Sequence, residues 1–174
     1  MTEPPPAPDR DDAPADALHE RCISVTVAGA PYGLPLEDVQ EVISMRPLTR
    51  VFHAPAAVAG VTSLRGEVLP VLDLGVLLGH SPAGFGATAD ARIVVVREKT
   101  GKKRRAGLRV DALGPLREVA AGGLAPPPST LSAAAAELVV GVIPEAPPCS
   151  VLALGSVLDS HLLASVAAPA DAEV

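Results

Sequence analysis

Aromatic side chains are nearly missing from this sequence: it has Tyr32, Phe52 and Phe85 and no tryptophan. Bases therefore find almost no faces to stack on, and a formal net charge of −6 gives a phosphate backbone nothing to be drawn to. Together these exclude nucleic acid as a partner and point to protein. Cysteine is equally scarce. Cys22 and Cys149 stand far apart and outside any Cys-x-x-Cys spacing, so neither a zinc site nor a disulfide framework is encoded. Both read as small buried residues. No apolar run is long enough to span a bilayer, and the N-terminus is acidic and proline-rich where a signal peptide is basic and then apolar. A cytoplasmic protein without membrane insertion is expected.

Reactive constellations are lacking too. His19, His53, His80 and His161 are scattered with no His-x-x-x-His spacing, which offers a metal no helical pair of ligands. Ser63, Glu67 and Asp73 share the stretch SLRGEVLPVLD, but no histidine accompanies them to form an acyl-transfer triad. Asp73 has no acidic cluster beside it for magnesium, and it precedes Leu74, Leu77 and Leu78 at helical spacing, so it reads as a helix N-cap. The leucine stripe is read as core. No catalytic activity, cofactor or metal is expected.

What the chain does have is small apolar side chains, 48 % of the sequence being hydrophobic, with Val, Leu and Ala dominant. Residues 1–19 mix proline with acid and show no buried-face pattern, so they read as a disordered lead-in; 165–174 read as a flexible tail. Between them lie short β segments separated by turns. Cys22–Ala28 alternates faces; Gly29-Ala30-Pro31 turns it back into Tyr32–Leu36; LEDVQEVIS reads as a short turn feeding a strand. Val61–Leu64 and Glu67–Leu72 form a hairpin about Arg65-Gly66. Arg92–Glu98 carries Ile93, Val94, Val95 and Val96 in succession, the pattern of a strand buried on both faces. KTGKKRR (Lys99–Arg105) is a solvated hairpin tip leading into Ala106–Asp111 and Ala112–Val119. Glu137–Ile143 and Ser150–Leu154 read as the last strands, before a helix over Ser156–Leu163. About ten strands with few helices point to a sandwich or barrel architecture, and no repeat period stands out.

The segments YGLPLEDVQEV, VAGVTSLRGEVLPVLDLGVLLG, RIVVV and GLRVDALGPLREV resemble, in order and spacing, the CheW-like domain of bacterial chemosensory signalling. The string from Gly60 to Leu74 carries most of the resemblance, which extends over residues 20–164. It implies a mainly β fold: two five-stranded SH3-like barrels around a shared hydrophobic core, with short helices. The barrels are expected to divide near residue 65, with the C-terminal helix packing back. It also implies a non-enzymatic adaptor in chemoreceptor clusters that binds the cytoplasmic tip of a chemoreceptor and the regulatory domain of a CheA-type histidine kinase. The chain departs from the pattern at Ser63, where the family usually has Asn, at Gly75, where a charge is common, and at Ala153-Leu154, where a Leu-Asp pair is usual.

Carried over residue by residue, the resemblance places a receptor-binding groove at Val39, Val42, Val61 and Leu64, and a structural ion pair between Glu41 and Arg65. Two rivals stand beside the coupling role. One is a divergent adaptor that binds receptors with weak or no kinase binding, suggested by the proline-rich second half. The other is a small-molecule-binding β-barrel, which would need convergent polar groups that the sequence does not display.

Overall fold

The computed structural model describes residues 20–81, 88–98, 104–119 and 122–159. The lead-in 1–19, the tail 165–174 and the Lys99–Lys103 tip lie outside them. Ten strands are described: β1 (Glu20–Val27), β2 (Ala30–Pro35), β3 (Val39–Ser44), β4 (Val58–Leu64), β5 (Glu67–Asp73), β6 (Arg92–Arg97), β7 (Arg105–Val110), β8 (Ala112–Val119), β9 (Val139–Ile143) and β10 (Cys149–Leu152). Three short α-helices accompany them, α1 (Leu74–Leu77), α2 (Ala133–Leu138) and α3 (Leu154–Asp159), with a 3-10 turn at Leu36–Asp38 leading into β3.

The strands form two five-stranded sheets, ordered β8-β1-β2-β10-β9 and β3-β6-β7-β5-β4. The expected division near residue 65 is therefore corrected. Barrel one takes both ends of the described chain and barrel two takes its middle. The reason is an exchange of strands between two copies of one motif. A unit of five strands and a helix (β1–β5, α1) recurs as β6–β10, α3, and the hairpin that opens each unit pairs with the last three strands of the other. In both barrels the exchanged hairpin is joined on one side by an antiparallel pair, β1 beside β8 and β6 beside β3, and on the other by a parallel pair, β10 beside β2 with Ser150 opposite Tyr32 and β5 beside β7 with Leu72 opposite Leu108. The segment after the third strand of each unit then bridges to the fourth, Thr49 to Val61 and Ala125 to Val142.

Equivalent residues carry equivalent constraints. A side chain at Gly107 would meet Ile93 at 2.5 Å inside barrel two, and one at Gly33 would meet Val151 at 3.3 Å inside barrel one. Gly60 and Gly141 sit where the bridging segments cross, with the Thr49 and Ala125 carbonyl oxygens 2.6 Å and 3.0 Å from where a Cβ would stand. The Asp73 amide donates to the Ala57 carbonyl, and the Ala153 amide to that of Leu138. The sequence hides this repeat because the offset drifts from 74 residues (Gly33 to Gly107) to 81 (Gly60 to Gly141) and 80 (Val71 to Val151).

Burial follows from the exchange. Ile93 and Val95 of β6 face the interior of barrel two with Leu64, Leu69 and Val71. Val94 and Val96 face the opposite way, into a central cluster that also holds Val25, Val27 and Leu34 of barrel one and Leu152, Val157 and Leu158 of the closing segment. All four β6 residues are fully buried, the reading that an unbroken apolar run gave. A smaller cluster of Cys22, Val119, Ile143, Cys149 and Val151 fills barrel one.

Two local expectations are corrected. Glu137 and Leu138 belong to α2 instead of opening a strand: Ser132 caps the alanine run by accepting from the Ala135 amide at 3.1 Å, and the strong helix propensity of Ala133–Ala136 carries the helix to Leu138. Leu154 starts α3 instead of ending a strand, its side chain buried in the central cluster.

Because the two units exchange hairpins and both barrels pack on one central cluster, the fold should melt as one unit. Val94→Ala, on the central face of β6, and Val95→Ala, inside barrel two, should each cost about 2 kcal/mol. Both should lower one calorimetric transition without splitting it; separate transitions in either variant would contradict the shared core.

Candidate docking surfaces

β3 and β4 are the outer strands of barrel two, and the turn between β4 and β5 stands at their end. Arg65 and Gly66 occupy it with φ of 51° and 82°, the two left-handed residues of a two-residue hairpin turn. A left-handed arginine is strained relative to glycine, and its side chain is held. Nη1 and Nη2 donate to Oε1 and Oε2 of Glu41 at 2.8 Å and 3.0 Å, a two-pronged pair across the barrel end. The Arg65 side chain is 70 % exposed and that of Glu41 only 21 %. Escape from an unpaired burial is therefore no reason for the pairing; fork-to-fork geometry is. The pair ties the β4–β5 turn to β3, since Glu41 lies opposite Val95 just beyond an irregularity in the β3–β6 register.

The four residues of the expected groove do not converge. Val39 and Val42 are half-buried on β3 and pack against the central cluster. Val61, half-buried on β4, belongs to none of the three clusters. Leu64 is 3 % exposed inside barrel two among Leu69, Val71 and Ile93, so it is core and no part of a groove wall. Alternation explains the error: on a strand, Val61 and Leu64 differ by an odd number of positions and point to opposite faces. Sequence reading missed the apolar side chains that are exposed, Phe52, Val68, Leu113, Leu116 and Val140. The signal for Val68 was available, since it alternates with the inward-facing Leu69 and Val71.

Asp73 ends β5 and accepts the Val76 amide at 3.1 Å, capping α1 while its own side chain stays buried. That places Leu74 and Leu78 in the central cluster, with Leu77 partly buried against it. Ala153 holds the corresponding place before α3 and has no side-chain acceptor, so the second unit lacks this cap.

The described residues include no group of three His, Cys, Asp or Glu side chains placed to hold a metal. Burial pushes the Cys149 thiol pKa up, opposed in part by a hydrogen bond with Ser24 and the charge of Arg117, so the thiol stays protonated near neutral pH. No described helix is long and apolar enough to cross a membrane. The surfaces on offer are apolar side chains and strand edges.

Residues 21–160 match the family model of the CheW-like domain. The chain belongs to the CheW-like family of chemotaxis coupling proteins. It is 34 % identical to Protein FrzA of Myxococcus xanthus over 137 residues, covering 79 % of this chain and 82 % of that protein. It is 29 % identical to the chemotaxis protein CheW of Klebsiella aerogenes, covering 73 % and 74 % of the two chains. The crystal structure of the scaffolding protein TtCheW from Thermoanaerobacter tengcongensis superposes with a TM-score of 0.68 at 26 % identity, over 79 % of this chain and 86 % of that one. The CheW-like chain thus shares its interlocked pair of SH3-like barrels with that scaffold.

A double-mutant cycle on Glu41→Gln and Arg65→Met measures the ion pair. With Arg65 largely in water, the expected coupling is about 0.5 to 1 kcal/mol in low salt, shrinking as salt is added. Additive single effects would mean the contact contributes nothing to stability.

Proposed function

We propose that this chain is a non-enzymatic adaptor that couples the cytoplasmic tip of a chemoreceptor to the regulatory domain of a CheA-type histidine kinase. The observation that carries the receptor half is the placing of Val39 and Val42. They pack on the central cluster yet remain partly exposed on outer strand β3, so the core shared by both barrels reaches the surface there. A helical hairpin laid against that edge buries apolar area without ionisable chemistry. Glu41, between them and pinned by Arg65, fixes the β4–β5 turn beside the contact. Its role is to hold the barrel end in shape.

Kinase contact is assigned to barrel two, whose β4 and β5 are seven residues long and expose Val68. Their counterparts in barrel one, β9 and β10, have five and four residues. The shortening falls on barrel one and leaves the barrel assigned to the kinase at full length, which favours coupling over the receptor-only reading.

Titration with a receptor-tip fragment tests the first half. Val39→Asp should weaken binding about tenfold or more by placing a charge in the contact. Val39→Thr, nearly the same in shape, should weaken it less and keep the native melting temperature. Unchanged affinity in both variants removes β3 from the interface. Titration with the isolated kinase regulatory domain tests the second half: micromolar binding supports coupling, and receptor binding without kinase binding supports the receptor-only adaptor.

A further inference from the structure

The β3–β4 connection carries a surface that the coupling role leaves unused. Phe52 is 90 % exposed, the most exposed of the large apolar side chains among the described residues. His53 follows it with φ of 60°, turning the chain directly after the ring, and the paired Thr49–Val61 hydrogen bonds, 2.8 Å each way, clamp the base of the loop to β4. The surrounding charge is one-sided. From Val42 to Gly66 the chain has Arg46, Arg50, His53 and Arg65 and no acidic residue, within a protein of net charge −6. Arg65 is engaged by Glu41, and Arg46 donates to the Ser63 carbonyl at 3.2 Å. Arg50 forms no ion pair among the described residues.

A partner for this loop must present carboxylates beside a flat apolar surface. We propose that the occupant is the chain's own N-terminal segment, residues 1–19, bound within the same molecule. That segment has Pro4, Pro5, Pro6 and Pro8 directly followed by Asp9, Asp11 and Asp12. Proline rings pack on an aromatic face, and neighbouring carboxylates pair with arginine forks. Its five acidic residues against one arginine make a net −4, most of the charge of the whole chain. Extended, it reaches about 60 Å at roughly 3.3 Å per residue. A folded body of this size is about 40 Å across, so the loop is within range, and the tether supplies a millimolar local concentration. The KTGKKRR tip is more basic but has no aromatic residue, and its Arg104 and Arg105 already engage the Leu158 carbonyl and Glu67.

Paramagnetic broadening in the full chain tests this. Cys22 and Cys149 are buried, so a nitroxide reacts selectively at Thr2→Cys. The Arg50, Phe52 and His53 amide signals should lose most of their intensity in low salt. They should recover near 1 M salt, where the screening length falls to about 3 Å, and in the Arg50→Glu, Phe52→Ser variant. A mixed sample of nitroxide-bearing and nitrogen-15-labelled chains should show no such loss. Loss only in the mixed sample, loss centred on the KTGKKRR tip, or no loss at all each overturns the proposal.

Discussion

A strand without a solvent face holds this protein together. β6 places Ile93 and Val95 in one core and Val94 and Val96 in another, so any polar residue there would face unpaired burial on one side or the other. Its partner β7 is equally committed, with Ala106, Leu108 and Val110 turned into the central cluster and glycine at position 107 because Ile93 fills the space where a side chain would stand. The two barrels cannot separate without exposing the face of this hairpin that carries Val94, Val96, Leu108 and Val110. Their interlocking is a consequence of strand exchange more than of a large interface between finished domains.

That rigidity is what an adaptor needs. Outer strand β3 presents Val39 and Val42 as a surface continuation of the central core, and the Arg65 fork fixes the neighbouring turn at the cost of a left-handed arginine. A partner docking there meets a preformed edge and loses little to ordering the adaptor. Strain at Arg65 and its pairing with Glu41 are two sides of one arrangement: the turn aims the guanidinium, and the carboxylate holds it.

Local patterns were legible where period and chemistry agreed. The alternation of β1, the turn into β3, the Arg65-Gly66 hairpin, the doubly buried β6 and the helix after Asp73 could each be read from residue types. What failed was long-range. Which hairpin completes which barrel depends on parallel pairs such as Val71 with Gly107, and no local signal encodes them. The repeat was hidden by drift in its offset. Leu64 was misplaced because a family surface was carried over without counting strand alternation, and α2 was missed because Glu137 and Leu138 read as the opening of the strand that follows. Exposed Phe52 carried no periodic signal at all.

Coupling requires one body that offers separate surfaces to two partners, so the decisive measurement is the affinity for the kinase regulatory domain with and without saturating receptor tip. Two distinct surfaces on a rigid body predict a ternary complex with kinase affinity unchanged or increased. Loss of kinase binding as receptor tip saturates would show that the partners compete for one surface, and would contradict the coupling role.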